Sequence, residues 1–285
     1  MDCIRILLPT DFSVNALNAI KYALDLYSKQ KCEFYLLHTY EVDGYALSGA
    51  TKVVKPKQFL YETAKKEAEA LFRKLMKVVQ LHSYNYDHSF HSIITYDTLI
   101  NATKDIITKN NIDIVVMGTK GITGSRLVVY GTNTISLMEH ISECPILAIP
   151  ENQKFILPRE IVFPTDYTIS HKPVELRHLI SIAKMHHAII QVLHIVTKSE
   201  KLHKTQQANK ALLTTLFKDI EFSFHELAGS SIHEEINAFI DGRDTNMIAF
   251  INPKHNFFSM MFSRPLVKEL GYYSRIPLLA LKIKN

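Results

Sequence analysis

Three glycines and a threonine stand at fixed spacing in the segment GTKGITGSRLVVYGTNTISLME, residues 118–139. They read G-x-x-G-x9-G-[ST] through Gly118, Gly121, Gly131 and Thr132. Glycine lets the backbone approach a ligand closely and tolerates positive φ, so such a loop can wrap its amides around an anion. Thr132 stands where an N-cap opens the next helix, and a helix N-terminus adds free amides and positive potential. The chemistry this spacing supports is the binding of an anion or nucleotide by backbone amides. Isolated glycines would instead only shape the loop. Met117, just before the loop, offers an apolar edge to a base or ribose, and Gly124 and Ser125 offer further amides and a hydroxyl. The segment is neither a Walker loop, since no Gly-Lys-[Ser/Thr] closes it, nor a G-x-G-x-x-G fingerprint.

Asp11 ends another apolar run, IRILLPTD. Its carboxylate can accept from a ribose hydroxyl or an adenine amino group. It can equally cap the following helix, a task open to Ser13 as well, and the two roles are compatible. Thr39 follows a second apolar run, where a backbone group can meet a base. The 14 histidines include the groups His82, His88, His91 and His186, His187. On a strand His88 and His91 point to opposite faces, which speaks against zinc, and no carboxylate pair or Ser-His-Asp order suggests a hydrolase. No catalytic residue and no protein-held metal is expected.

The elements that must position these residues repeat along the chain. PTDFS at 9–13 returns as PTDYT at 164–168, an offset of 155. Leu36-Leu37-His38 returns as Val192-Leu193-His194, residues 112–117 as 245–250, and residues 144–148 as 276–280. Two homologous domains follow, 1–150 and 158–285, joined by the proline-bounded segment 150–160 as a short, stiff linker. His38 and His194 recur at matching places, which assigns them a shared structural role.

Short apolar runs alternate with amphipathic patterns, as in a parallel sheet covered by helices on both faces. Strands are expected at 3–9, 32–39, 86–94, 112–117 and 145–149, and again at 160–164, 188–195, 221–227, 246–251 and 277–282. The first helix begins after Ser13 with an apolar stripe of Val14, Leu17, Ile20, Leu24 and Tyr27. Others run over 58–81 and 97–109. The fold class is α/β, two tandem doubly wound domains of the flavodoxin or Rossmann-like kind, each a five-stranded parallel sheet. Ligands in such folds sit beyond the carboxyl ends of the strands, where strand order reverses.

The second copy loses the glycines. It reads INPKHNFFSMMFSRPLVKEL, with Ile251 and Lys254 matching Gly118 and Gly121, and Ser263 and Arg264 matching Gly131 and Thr132. Pro253 lacks an amide proton, and Phe257, Phe258, Met260, Met261 and Phe262 add apolar bulk. Ser263-Arg264-Pro265 still resembles a helix start. A nucleotide bound as in the first copy is not expected here.

Composition agrees with a packed protein: 47% of the 285 residues are hydrophobic and 21% charged, which excludes disorder. The net charge of +5 from 33 Lys+Arg and 28 Asp+Glu is a mild excess that does not require nucleic acid. No run is long enough for a membrane span and no secretory signal precedes the first strand. The three cysteines, Cys3, Cys32 and Cys144, read as reduced buried thiols, and the expected location is cytoplasmic.

The blocks PTDFS at 9–13, LLHTY at 36–40, VVMGTKG at 115–121, GT at 131–132 and CPILAIP at 144–150 together resemble the universal stress protein family in its tandem form. That resemblance implies ATP binding by the first copy. Pro9, Thr10, Asp11 and Thr39 would surround adenine and ribose; Met117, Gly118, Gly121, Gly131, Thr132 and Asn133 would hold ribose and phosphates. Mg²⁺ would ride on the phosphates. It implies a regulatory, stress-response role with the second copy structural or regulatory, a weak ATPase or other adenine-nucleotide hydrolase being the alternative. The partner is an adenine nucleotide rather than nucleic acid or membrane. The copies would form an intramolecular pseudo-dimer through their last strands, 146–150 and 278–283, to which a second chain can add a homodimer. Residues 41–57 would form a flap near the pocket.

Overall fold

The computed structural model describes residues 3–40, 57–85, 87–119, 132–151, 153–196, 201–229, 231–252 and 276–283. The elements of the first half are β1 (Ile4–Pro9), α1 (Val14–Leu26), β2 (Cys32–Tyr40), α2 (Lys57–His82), β3 (His88–Tyr96), α3 (Leu99–Asn110), β4 (Ile114–Gly118), α4 (Thr132–His140) and β5 (Ile146–Ile149). The second half has β6 (Glu160–Pro164), α5 (Pro173–His186), β7 (Ile189–Val196), α6 (Lys204–Leu216), β8 (Phe222–Ala228), α7 (Ile232–Asp241), β9 (Thr245–Asn252) and β10 (Leu278–Lys282). Every strand lies within two residues of its expected place. The flap and the two glycine-equivalent loops, 120–131 and 253–275, fall outside the described residues.

All ten strands make one sheet in the order β3-β2-β1-β4-β5-β10-β9-β6-β7-β8. Among the described residues strands within each half pair in parallel, and only β5 and β10 pair antiparallel, Leu278 opposite Ala148, Leu279 opposite Leu147 and Ala280 opposite Ile146. The last strands therefore join the halves, as the sequence suggested. Alternation along these strands feeds two cores. Ile6, Leu8, Leu147 and Leu279 pack with α1, α2, α5 and α6 on one face. Leu7, Ile146, Ala148 and Leu278 pack with α3, α4 and α7 on the other. Strands buried on both faces explain why the runs read as continuously apolar.

Local signals set the helix ends. Ser13 Oγ accepts from the Ala16 amide at the start of α1, and Thr98 Oγ1 accepts from Asn101 at the start of α3. Asn111, at φ 50°, ends α3 in the left-handed conformation that asparagine tolerates. The α1 stripe differs from expectation at its first turn: Val14 is 79% exposed, while Ile20, Leu24 and Tyr27 are buried. Val14 lies in the first turn of α1, just past the carboxyl end of β1.

Contacts across the halves extend beyond the seam. The linker is not a bare spacer, because Phe155 packs edge-on against Tyr22 of α1 at 5.2 Å and the Gln153 carbonyl accepts from Asn18. His186 of α5 meets the Leu26 carbonyl at the end of α1 at 2.8 Å, and Lys282 of β10 donates to the Met138 carbonyl near the end of α4 at 2.7 Å. Both satisfy last-turn carbonyls that a helix leaves unpaired. All three cysteines are free, and burial pushes the Cys32 and Cys144 thiols up to about 12. Among the described residues no helix is long and apolar enough to cross a membrane.

Candidate functional site

The order β3-β2-β1-β4-β5 reverses direction between β1 and β4, so a crevice opens beyond their carboxyl ends. Leu7 pairs with Tyr35 of β2 on one side and with Val115 of β4 on the other. Continuing that register sets Pro9 beside Met117, with β1 ending at Pro9 and β4 at Gly118. The expected site residues Pro9, Thr10, Asp11, Met117 and Gly118 thus meet at one edge, with Thr39 one strand further out.

The turn after β1 is built by its own side chains. The Thr10 amide donates to the Leu37 carbonyl at 2.8 Å, extending the ladder. Thr10 Oγ1 accepts from the Phe12 amide at 3.0 Å, and Asp11 Oδ1 accepts from the Ser13 amide at 3.0 Å. This arrangement holds Phe12 at φ 61°, where a bulky residue is rarely found. His38 Nδ1 lies 2.8 Å from the Thr10 carbonyl; a carbonyl only accepts, so this nitrogen carries the proton.

The same bonds recur after β6. Thr165 Oγ1 accepts from Tyr167 at 3.1 Å, Asp166 Oδ1 from Thr168 at 2.9 Å, and His194 Nδ1 donates to the Thr165 carbonyl at 2.9 Å. Tyr167 sits at φ 58°. The histidine and the Pro-Thr-Asp block are therefore a turn-forming device common to both halves, as the repeat implied. Ser13, not Asp11, caps α1; the Asp11 carboxylate instead closes the turn before it by accepting from the Ser13 amide.

Gly118 also has a packing role that its place in the glycine loop does not announce. A Cβ there would lie 2.9 Å from the Asn15 carbonyl oxygen, so α1 can approach β4 only over a glycine. In the second half Ile251 stands near the equivalent place, and the helix opens later, at Pro173 rather than an offset of 155 from Val14. Gly118→Ala is expected to destabilise the chain by about 1–3 kcal/mol through overpacking against backbone. A urea midpoint equal to that of the parent would contradict the close approach.

The start of α4 is tied to the end of β4. Thr134 Oγ1 donates to the Gly118 carbonyl at 2.9 Å, and Thr134 is buried. This holds the first turn of α4, with Thr132 and the exposed Asn133, against the end of β4. Thr119, 1% exposed, donates its amide to the Ile149 carbonyl, yet its hydroxyl finds no partner among the described residues. Sequence reasoning does not single out Thr119 or Thr134, though GTNT carries the second at a helix's first turn. Gly121 and Gly131 lie outside the described residues.

Beside Thr39, three tyrosines gather at the ends of β2 and β3. Tyr40, Tyr61 and Tyr96 have ring centroids 5.6–5.7 Å apart, and burial together with the hydrogen bond it shares with Tyr61 raises the Tyr40 hydroxyl well above its ordinary pKa. The histidines do not converge: His82 faces Asp25, His88 faces Ser83 and His91 stacks on Tyr35. Among the described residues no group of three or more His, Cys, Asp or Glu gathers as a metal site.

Comparison with known proteins gives a consistent result. A universal stress protein of Methanocaldococcus jannaschii is 23% identical over 153 residues, covering 53% of this chain and 84% of that protein. Among solved structures, a universal stress protein from Archaeoglobus fulgidus superposes with a TM-score of 0.70 at 15% identity, covering 99% of this chain and 97% of that one. A putative universal stress protein from Pseudomonas aeruginosa gives 0.58 at 13% identity over 98% and 92%. These likenesses show the shared fold across both halves. The profile of the universal stress protein family matches residues 4–150, more than half of the chain, and the chain belongs to that family.

Proposed function

We propose that the first half binds one adenine nucleotide, ATP with Mg²⁺ on its phosphates, and that occupancy of this site regulates a cytoplasmic stress response. The observation that carries the reading is the convergence at the strand-order reversal of Asp11, Met117, Gly118 and the N-terminus of α4. Pro9, Thr10, Asp11 and Thr39 take the adenine and ribose. Met117, Gly118, Gly121, Gly131, Thr132 and Asn133 take the ribose and phosphates, with amides rather than side-chain charge opposing the negative charge. The Thr119 hydroxyl, buried just past the end of β4 and without a partner among the described residues, is a donor that a nearby acceptor would satisfy. Bound Mg²⁺ would neutralise phosphate charge. The domain of residues 1–150 holds the nucleotide, and that of 158–285 is structural or regulatory.

Nucleotide released by denaturing the freshly purified chain, identified by mass spectrometry, tests this. An adenine nucleotide is expected. A chain that releases none, and acquires none from Mg-ATP, would overturn the reading.

A further inference from the structure

A cavity of about 240 Å³ opens where the two halves meet, at the opposite end of β4 and β5 from the nucleotide crevice. Its walls come from both halves: the end of α3, the starts of β4 and β5, the first turns of α5, and Lys282 at the end of β10. It is smaller than the roughly 300–1,000 Å³ of drug-sized ligand sites, which suits a small metabolite.

The carboxylates around it are each hydrogen-bonded. Arg177 Nη2 donates to Asp113 Oδ1 at 3.1 Å, and Asp113 Oδ2 accepts from the Arg5 amide. Glu175 Oε2 accepts from the Lys172 amide, and Glu143 Oε2 from the Ser142 amide. Lys282 is the buried cation among these groups. It is 6% exposed, and its Nζ donates to the Met138 carbonyl; among the described residues it makes no ion pair. A lysine is almost never buried to this degree without a counter-charge. The thiol of Cys144, held neutral by burial, supplies none.

We propose that this cavity binds a small aliphatic monocarboxylate, its carboxylate pairing with the Lys282 ammonium and its carbon chain lying against Ile107, Ile112, Pro145 and Val174. A single negative charge suits the site, because Asp113, Glu143 and Glu175 would repel a dianion. Burial pulls the Lys282 ammonium down to about 8, against the opposing pull of Cys144 and Glu143, while Arg177 and His178 face the cavity from α5. A bound carboxylate favours the charged amine, so binding takes up a proton and weakens as pH rises through that value. This site is separate from the nucleotide crevice, and its test needs no nucleotide.

Calorimetry on the full chain compares butyrate, the neutral isostere butyramide and inorganic phosphate. At pH near 7, butyrate should bind at least about tenfold tighter than butyramide, the scale of one charge-assisted hydrogen bond. That preference should vanish above pH of about 9.5, as a lysine so buried loses its proton. Lys282→Met should remove the preference, and Val174→Trp, which fills the cavity from its rim and leaves the Lys282 bond to Met138 intact, should remove butyrate binding. Equal affinity for butyrate and butyramide, tighter phosphate, no binding of butyrate, or butyrate binding unchanged in a folded Val174→Trp chain would each overturn the proposal.

Discussion

Gly121→Val and Gly131→Val are each expected to abolish ATP binding while leaving the chain folded. On the proposed reading the loop would present amides to the phosphates, and a β-branched residue would both restrict φ and put a Cβ where a phosphate oxygen has to approach. Each charge-assisted hydrogen bond from an amide to phosphate contributes about 1.5–3 kcal/mol. Removing two of them lowers affinity about a hundredfold to ten-thousandfold. Calorimetric titration with Mg-ATP checks the affinity, and unchanged thermal melting checks the fold. Parent-like affinity in both variants would remove the loop from the site.

The second large effect concerns the seam. Leu147 and Leu279 face each other across the antiparallel pair β5 and β10, and both are fully buried within one core shared by the two halves. Leu279→Ala should cost about 2–5 kcal/mol, because the surrounding strands cannot collapse into the void. That is a large part of the roughly 5–15 kcal/mol by which domains are stable. Urea denaturation measures it, with Leu157→Ala, at a 45% exposed position of the linker, as a control. The control should change stability by no more than about 0.5 kcal/mol. Equal, small effects at both positions would mean that the seam is not the buried centre of the sheet.

The sequence carried the fold well because its signals were local or repeated. Strands buried on both faces read as unbroken apolar runs, and the internal repeat doubled each signal, so His38 and His194 disclosed a common role before their bonds to Thr10 and Thr165 were visible. The pairing of β5 with β10 followed from the apolarity of both last strands together with the family resemblance. What stayed hidden depends on distant segments meeting. Gly118 reads as a ligand-approach glycine until α1 folds back and brings the Asn15 carbonyl against it. Thr119 looks like an ordinary loop residue until burial strips its hydroxyl of partners among the described residues. Lys282 reads as the polar end of a strand, and only the antiparallel junction places it under the last turn of α4. The linker reads as stiff from Pro150 and Pro158, but nothing local announces that Phe155 will find Tyr22.

The central claim is a division of labour: the first half holds the nucleotide and the second, though it repeats the Pro-Thr-Asp turn, does not. Turn geometry is shared, since Asp11 and Asp166 make the same bond to the amide two residues on. The difference lies in the loops after β4 and β9, one carrying Gly121 and Gly131, the other Pro253 and Phe257 to Phe262. Calorimetric stoichiometry with Mg-ATP at saturating concentration tests this most directly. One ATP per 285-residue chain is the predicted result; two per chain, or none, would contradict it.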